Sequence, residues 1–404
     1  MKIECKLCSA PVHSIAIHLK QDHPEVSIES YAQQFPDSPL LSDEAKMILE
    51  RKKVEKATAP TKREMHVVFK LSGRKILEAK DVNKNPILVD VLPRTEHTHL
   101  IPDVDSNYVL NVGLLKNVMM GFELNVPVYL WGHAGVGKST LYEQICAFTN
   151  RPYIRVQHTI NTEEAHIVGQ ILANESGTYF EPGPLTLAMR HGWVYNADEY
   201  DFAHASVLSV YQSVLEGKSL VIKEAPPEWR IVHPHPNFRF VATGNTNGSG
   251  DESGLYQGTN LGNAANYSRF GVTCYVDYLP SGEEAKVVSK QGSISLSAAK
   301  NFIDLASAVR NAFGRNETSS TIGTRELINA AKIAGFKAKL AGGVTSAVKT
   351  EGFMFAYVNR LSPLDKEVVT GLMQRILTTE PAESEAQWEE SNNSTSDTVD
   401  ELFK

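Results

Sequence analysis

Residues 132–139 read Gly-His-Ala-Gly-Val-Gly-Lys-Ser and follow directly on the apolar run 126–131. Glycines at 132, 135 and 137 let the backbone curl so that successive N–H groups, Val136 included, face one point. Lys138 at this spacing brings a mobile positive charge to the β- and γ-phosphates of a nucleotide. The hydroxyl of Ser139 is placed to ligate Mg²⁺. Thr140 opens a helix, predicted to run to Phe148, whose positive end faces the same phosphates. Strand, glycine loop and helix in this order predict a nucleotide-binding site formed by Gly132, Gly135, Val136, Gly137, Lys138, Ser139 and Thr140.

Hydrolysis needs further groups. The segment 191–199, His-Gly-Trp-Val-Tyr-Asn-Ala-Asp-Glu, ends an apolar strand in two carboxylates about sixty residues after the loop. Asp198 is predicted to hold Mg²⁺, and Glu199 to polarise the attacking water as general base. An Asp-Glu pair at a strand end is ordinary surface chemistry by itself; its place after a phosphate loop gives it this role. Asn196 interrupts the strand and needs hydrogen-bond partners if buried. The strand 238–243 ends in Asn245, an amide able to orient the lytic water, although Gly244-Asn245 is equally good turn chemistry. Arg269, in Ser-Arg-Phe, is suited by its permanent charge and forked donors to reach a neighbouring subunit's γ-phosphate. Arg325, at a helix start in Thr-Ile-Gly-Thr-Arg, is placed to reach back to the nucleotide.

These residues must be carried by a scaffold of strands and helices. Apolar runs at 126–131, 153–157, 192–197, 238–243 and 271–276 alternate with helical patterns, so residues 96–282 predict an α/β core with a parallel sheet. Residues 283–379 are helical in pattern, as at 298–313 and 325–334, and predict a lid. Residues 37–95 read as a charged linker, with a helix from Lys46 towards His66 and a β-like piece over 65–71. Residues 380–404 carry eight acidic side chains and one basic, the composition of a disordered acidic tail.

The 404 residues are 42% apolar and 22% charged, with a net charge of −7. That balance argues against a mainly electrostatic nucleic-acid binder. No run approaches the ~20 apolar residues of a membrane span. The start lacks a signal-peptide core, and four cysteines are too few for a disulfide framework, so a reducing cytoplasm is expected.

Two of those cysteines belong to a second candidate site. Cys5-x2-Cys8, nine residues, then His18-x4-His23 is the ligand set of a tetrahedral zinc site. Residues 1–36 supply little core, from Leu7, Val12, Ile15, Ile17 and Leu19, and need a staple. Both histidines are expected on one helix, with His13 a less well placed alternative. Four protein ligands leave no open position, so this zinc is structural. With Tyr31 and Phe35-Pro36, the segment resembles the finger of Ros/MucR-type regulators. Lys6 and Lys20 are weak grounds for nucleic-acid contact.

The order of phosphate loop, Asp-Glu strand, Asn strand, Ser-Arg-Phe and Thr-Arg resembles AAA+ ATPases, and within them the MoxR branch. Longer stretches resemble the CobS-type small ATPase subunits of aerobic cobaltochelatase. They include 94–97 (Arg-Thr-Glu-His), 101–108 (Ile-Pro-Asp-Val-Asp-Ser-Asn-Tyr), 198–201 (Asp-Glu-Tyr-Asp), 230–240, and 242–251 (Ala-Thr-Gly-Asn-Thr-Asn-Gly-Ser-Gly-Asp) continuing to Thr259. The resemblance implies an AAA+ core with a helical lid, a hexameric ring and Mg²⁺-dependent ATP hydrolysis at subunit interfaces. It assigns Lys138, Ser139, Asp198, Glu199, Asn245, Arg269 and Arg325 the roles given above. It also implies a partner with a von Willebrand A domain, and a ring that remodels that partner or another large protein complex. The chain departs from the family pattern at Ala197, at Asn196, and at Gly323-Thr324 where Ser-Pro is usual. The finger and the tail are additions. A motor acting on a partner protein leads; a cobalt-inserting chelatase subunit and an ATP-switched nucleic-acid regulator are the alternatives.

Overall fold

The computed structural model describes residues 2–46, 49, 59–175, 177–248, 250, 255, 256, 259 and 264–377. The expected acidic tail, and most of the helix expected from Lys46, lie outside the described residues. The described chain forms two compact units. The first is drawn from Met1–Thr61 together with Leu92–Thr95, the second from Lys62–Val91 and Glu96–Lys404.

In the first unit, strands Ile3–Glu4 and Pro11–Val12 pair antiparallel ahead of helices Ile15–Asp22 and Ile28–Gln34. Ser14 and Ser27 cap the helices by accepting from Ile17 N and Ser30 N. Cys5, Ile15, Leu19 and Tyr31 form the core, whereas Leu7 and Ile17, expected inside, are 37% and 60% exposed. The unit also runs past residue 36. Ile15 N donates to Leu40 O at 3.0 Å and Ser42 N to His13 O at 2.9 Å, and Leu40 packs on the core.

The second unit is built on a five-stranded parallel sheet in the order Val272–Tyr275, Val128–Trp131, Arg239–Gly244, Val194–Asp198, Tyr153–Gln157. Helices cover both faces of a parallel sheet, so its central strands are buried throughout. Phe122, Leu141, Ile145 and Val241 pack on one side, and Leu185, Met189, Tyr211 and Phe240 on the other. The carboxyl ends of Val128–Trp131, Val194–Asp198 and Arg239–Gly244 therefore open on one edge, where ligands bind in such sheets.

Part of the expected linker belongs to this unit. Met65, Phe69, Leu71, Ala79 and Val89 are buried in its core. The β-like piece over 65–71 is a helix, Met65–Val68. Its apolar residues fit either period, but the buried pair Met65 and Phe69 is spaced by four, and Val67 is 61% exposed.

The lid packs helices Ser281–Gly292, Leu296–Gly314, Thr324–Ala341, Ser346–Ala356 and Pro363–Leu377 around Val288, Phe302, Leu305, Leu327 and Phe353. Glu284, fully buried, accepts a forked pair of hydrogen bonds from Arg310, both 2.8 Å, and one from Thr324 Oγ1 at 2.6 Å. That anchors the helix start that presents Arg325, and gives the Thr324 departure a physical role.

Candidate functional site

The loop between strand Val128–Trp131 and helix Lys138–Phe148 turns sharply at Gly137, φ +90°, a conformation that side chains with a Cβ rarely adopt. Lys138 follows and is buried, 9% exposed. Its Nζ donates to Gly132 O at 2.6 Å, His133 O at 2.9 Å and Asn245 Oδ1 at 3.2 Å. Burial pushes its pKa down to about 8, with Arg325 adding in the same direction; Asp201, Asp198 and Glu199 oppose the shift.

Ser139 Oγ donates to Asp198 Oδ1 at 2.6 Å, and Thr243 Oγ1 donates to the same oxygen. Asp198 Oδ2 accepts from Arg155 Nε at 2.8 Å and Nη2 at 2.5 Å. Asp198 is 3% exposed, so its charge is held by these donors. A hydroxyl beside a carboxylate is the hard-oxygen donor set that Mg²⁺ takes, and the turned loop with its lysine fits a polyphosphate. Ser139 and Asp198 are the residues that fit the ion.

Glu199 sits just past the strand at φ +53°, which turns its side chain out of the strand's alternation. Its Oε2 accepts from Gln157 Nε2 at 2.8 Å, and its own N–H donates to Thr243 Oγ1 at 3.4 Å. Asn196 is fully buried, and its Nδ2 donates to Tyr153 OH at 2.7 Å. Between the loop and the lid lies a cavity of about 380 Å³. Gly135, Val136, Gly137 and Thr140 line it from the loop side, and Arg325 and Ile328 from the lid.

Asn245, Lys138, Ser139, Asp198 and Glu199 thus converge, with Arg325 across the cavity. Arg269 is placed differently. Its Nε donates to Glu216 Oε1 at 2.9 Å and its Nη1 to Ala265 O at 2.5 Å. Sequence reasoning missed Arg155, Gln157 and Thr243. Arg155 and Gln157 are alternate residues on the edge strand Tyr153–Gln157, a polar alternation within an apolar run that could have pointed to them.

In the first unit, ligand atoms of Cys5, Cys8, His18 and His23 all lie within 4.8 Å of one another. Cys8 Sγ is 3.1 Å from His18 Nε2, while His18 Nδ1 pairs with Asp22 Oδ2 at 2.7 Å. That leaves Nε2 to face the cluster. His23 Nε2 is buried without a hydrogen-bond partner, as a metal-directed nitrogen would be. The helix ends at Asp22 and His23 is its C-cap, φ −139°, so the two histidines do not share one helix as expected. His13 turns away to Ser42 Oγ at 3.0 Å.

The chain matches the AAA domain (dynein-related subfamily) over residues 127–270 and the CbbQ/NirQ/NorQ C-terminal domain over 284–376. Aerobic cobaltochelatase subunit CobS of Sinorhizobium sp is 29% identical over 286 residues, spanning 68% of this chain and 82% of CobS. Protein CbbQ of Hydrogenophilus thermoluteolus is 26% identical over 208 residues, spanning 52% of this chain and 74% of CbbQ. Among solved structures, the Thermotoga maritima RuvB Holliday junction branch migration motor covers 68% of this chain and 80% of its own, at TM-score 0.43 and 14% identity. The fold and phosphate loop define an AAA+ P-loop ATPase, an enzyme that hydrolyses ATP. Within that class, the order of core and C-terminal domain makes it an ATPase of the MoxR type, alongside CobS and CbbQ. None of the helices among the described residues is long and apolar enough to cross a membrane.

Proposed function

We propose that the chain works as a ring of identical subunits, a hexamer, that spends ATP to remodel a partner protein in the cytoplasm. The observation that carries the chemistry is the Ser139–Asp198–Thr243 cluster beside the Lys138–Asn245 contact. The loop N–H groups and Lys138 hold the phosphates. Ser139 and Asp198 hold Mg²⁺, which when bound neutralises charge on the phosphate oxygens. Glu199 takes the proton of the attacking water, and Asn245 orients that water. Gln157 holds the Glu199 carboxylate by donating to its Oε2. Arg325 reads the phosphates from the lid.

Arg269 completes the site of the next subunit. Its anchoring by Glu216 and Ala265, away from its own phosphate loop, supports a role across a boundary. Cys5, Cys8, His18 and His23 bind one structural zinc, supported by the unpartnered His23 Nε2. The zinc-stapled unit and the acidic tail are the additions through which this motor meets its partner, a protein with a von Willebrand A domain. The match to CobS favours a second reading, in which the chain is the ATPase subunit of a cobalt-inserting chelatase.

The test is capture. Glu199→Gln protein, loaded with ATP, should retain a specific protein from its own cells that wild-type protein releases on hydrolysis. Recovery of the chain alone in the ATP-loaded state overturns the remodelling reading. Recovery of a large chelatase subunit supports the second.

A further inference from the structure

Asp201, three residues beyond the Mg²⁺-holding carboxylate of Asp198, is 1% exposed and lies in the short 3-10 turn Tyr200–Phe202. The hydrolysis scheme gives it no part. A buried carboxylate with no such role must be held by donors, and these define what it does. Its Oδ2 accepts from Asn245 N at 2.9 Å, Thr246 N at 2.9 Å and Thr246 Oγ1 at 3.0 Å. All three donors belong to the turn that carries Asn245 at the end of strand Arg239–Gly244. Tyr129 OH closes the same turn by donating to Thr246 O at 2.6 Å. No side chain fits at Gly244 between these groups, because a Cβ there would collide with the Tyr129 hydroxyl and lie 3.1 Å from Asp201 Cγ.

Asp201 is two residues from Glu199 in the chain, so one carboxylate spans the two strand ends that carry the water-polarising and the water-orienting groups. We infer that Asp201 is a positioning residue for hydrolysis, locking the Asn245 turn to the Glu199 turn so that both act on one water. The backbone N–H of Asn245 is fixed by Asp201, and its side-chain Oδ1 by Lys138 at 3.2 Å. With backbone and side chain both held, the amide has one orientation. Positioning of this kind acts on the reaction step and leaves nucleotide binding to the loop and the lid.

The inference rests on the roles proposed for Glu199 and Asn245, and its test separates the two. Full-length Asp201→Ala, Asp201→Asn, Asn245→Ala and the Asp201→Ala/Asn245→Ala double variant are compared for kcat and for Kd of a fluorescent ATP analogue. Asp201→Ala should lose at least tenfold in kcat, with a smaller loss in Kd, measured at pH 7 where Lys138 keeps its charge. Asp201→Asn keeps an oxygen that accepts from both N–H groups, and should recover most of that loss. The double variant should be no slower than the slower single one, because both changes disable one device. Wild-type kcat in Asp201→Ala, a loss shared equally by Kd, multiplicative losses in the double variant, or Asp201→Asn as slow as Asp201→Ala each overturn the inference. Wild-type kcat in Asn245→Ala instead overturns the role given to Asn245.

Discussion

The depressed pKa of Lys138 makes ATP binding depend on pH in a way that can be calculated. Lys138 is buried against carbonyl oxygens, and burial lowers its pKa from 10.5 to about 8. In the role proposed for Lys138, phosphates bring a counter-charge that raises this value again, so binding takes up a proton wherever the lysine has lost it. With a value of about 8 before binding and one raised well above the tested range after it, affinity falls about twofold from pH 7 to 8 and about tenfold from pH 7 to 9. The phosphates of ATP are fully ionised over the upper part of that range and add no slope of their own. The sign for folding is opposite. Between pH 8 and 10.5 the unfolded chain holds more protons at this lysine than the folded chain, so without nucleotide this lysine adds stability as pH rises. The assay is titration of a fluorescent ATP analogue into Glu199→Gln protein at fixed Mg²⁺ from pH 7 to 9. Lys138→Ala should bind weakly at every pH, with no slope. A flat profile in the Lys138-bearing protein, or the same slope in Lys138→Ala, refutes the reasoning.

Other outcomes follow from the same geometry. One zinc per chain should be found by metal analysis and lost in the Cys5→Ser/Cys8→Ser variant. Because thiolates and imidazoles bind only when deprotonated, acid should release it, and nucleotide binding should survive; a full equivalent retained in that variant would place the ligands elsewhere. Arg269→Ala should abolish hydrolysis, and mixing it with inactive Glu199→Gln protein should restore some, since an interface can then receive both intact parts. A trans-acting arginine is worth about 10³–10⁵ in rate where it has been measured, so no recovery on mixing would assign Arg269 a structural role with Glu216.

Much of this arrangement is legible in the sequence because its signals are local. A glycine loop between an apolar run and a helix requires only neighbouring residues, and the strands found at 128–131, 153–157, 194–198, 239–244 and 272–275 fall within two residues of those expected. Residues acting across the sheet are not legible in this way. Arg155 and Gln157 reach the Asp-Glu pair only because strand Tyr153–Gln157 pairs in register with Val194–Asp198, Gln157 opposite Asp198. No spacing in the chain announces that register. The segment 65–71 misleads because its alternating apolar residues fit a strand, while burial of Met65 and Phe69 selects a helix. His23 misleads similarly: a five-residue spacing fits one helix, but the chain leaves the helix at Asp22.

The central claim is that Asp198 and Glu199 divide the work, one holding the ion and the other handling the water. Phosphate release with Mg·ATP, measured beside nucleotide binding for wild type and Glu199→Gln, tests it most directly. Wild type should release phosphate only with Mg²⁺. Glu199→Gln should bind ATP as tightly and turn over about 10²–10⁴-fold more slowly, the range a general base supplies. Turnover by Glu199→Gln at the wild-type rate would contradict it.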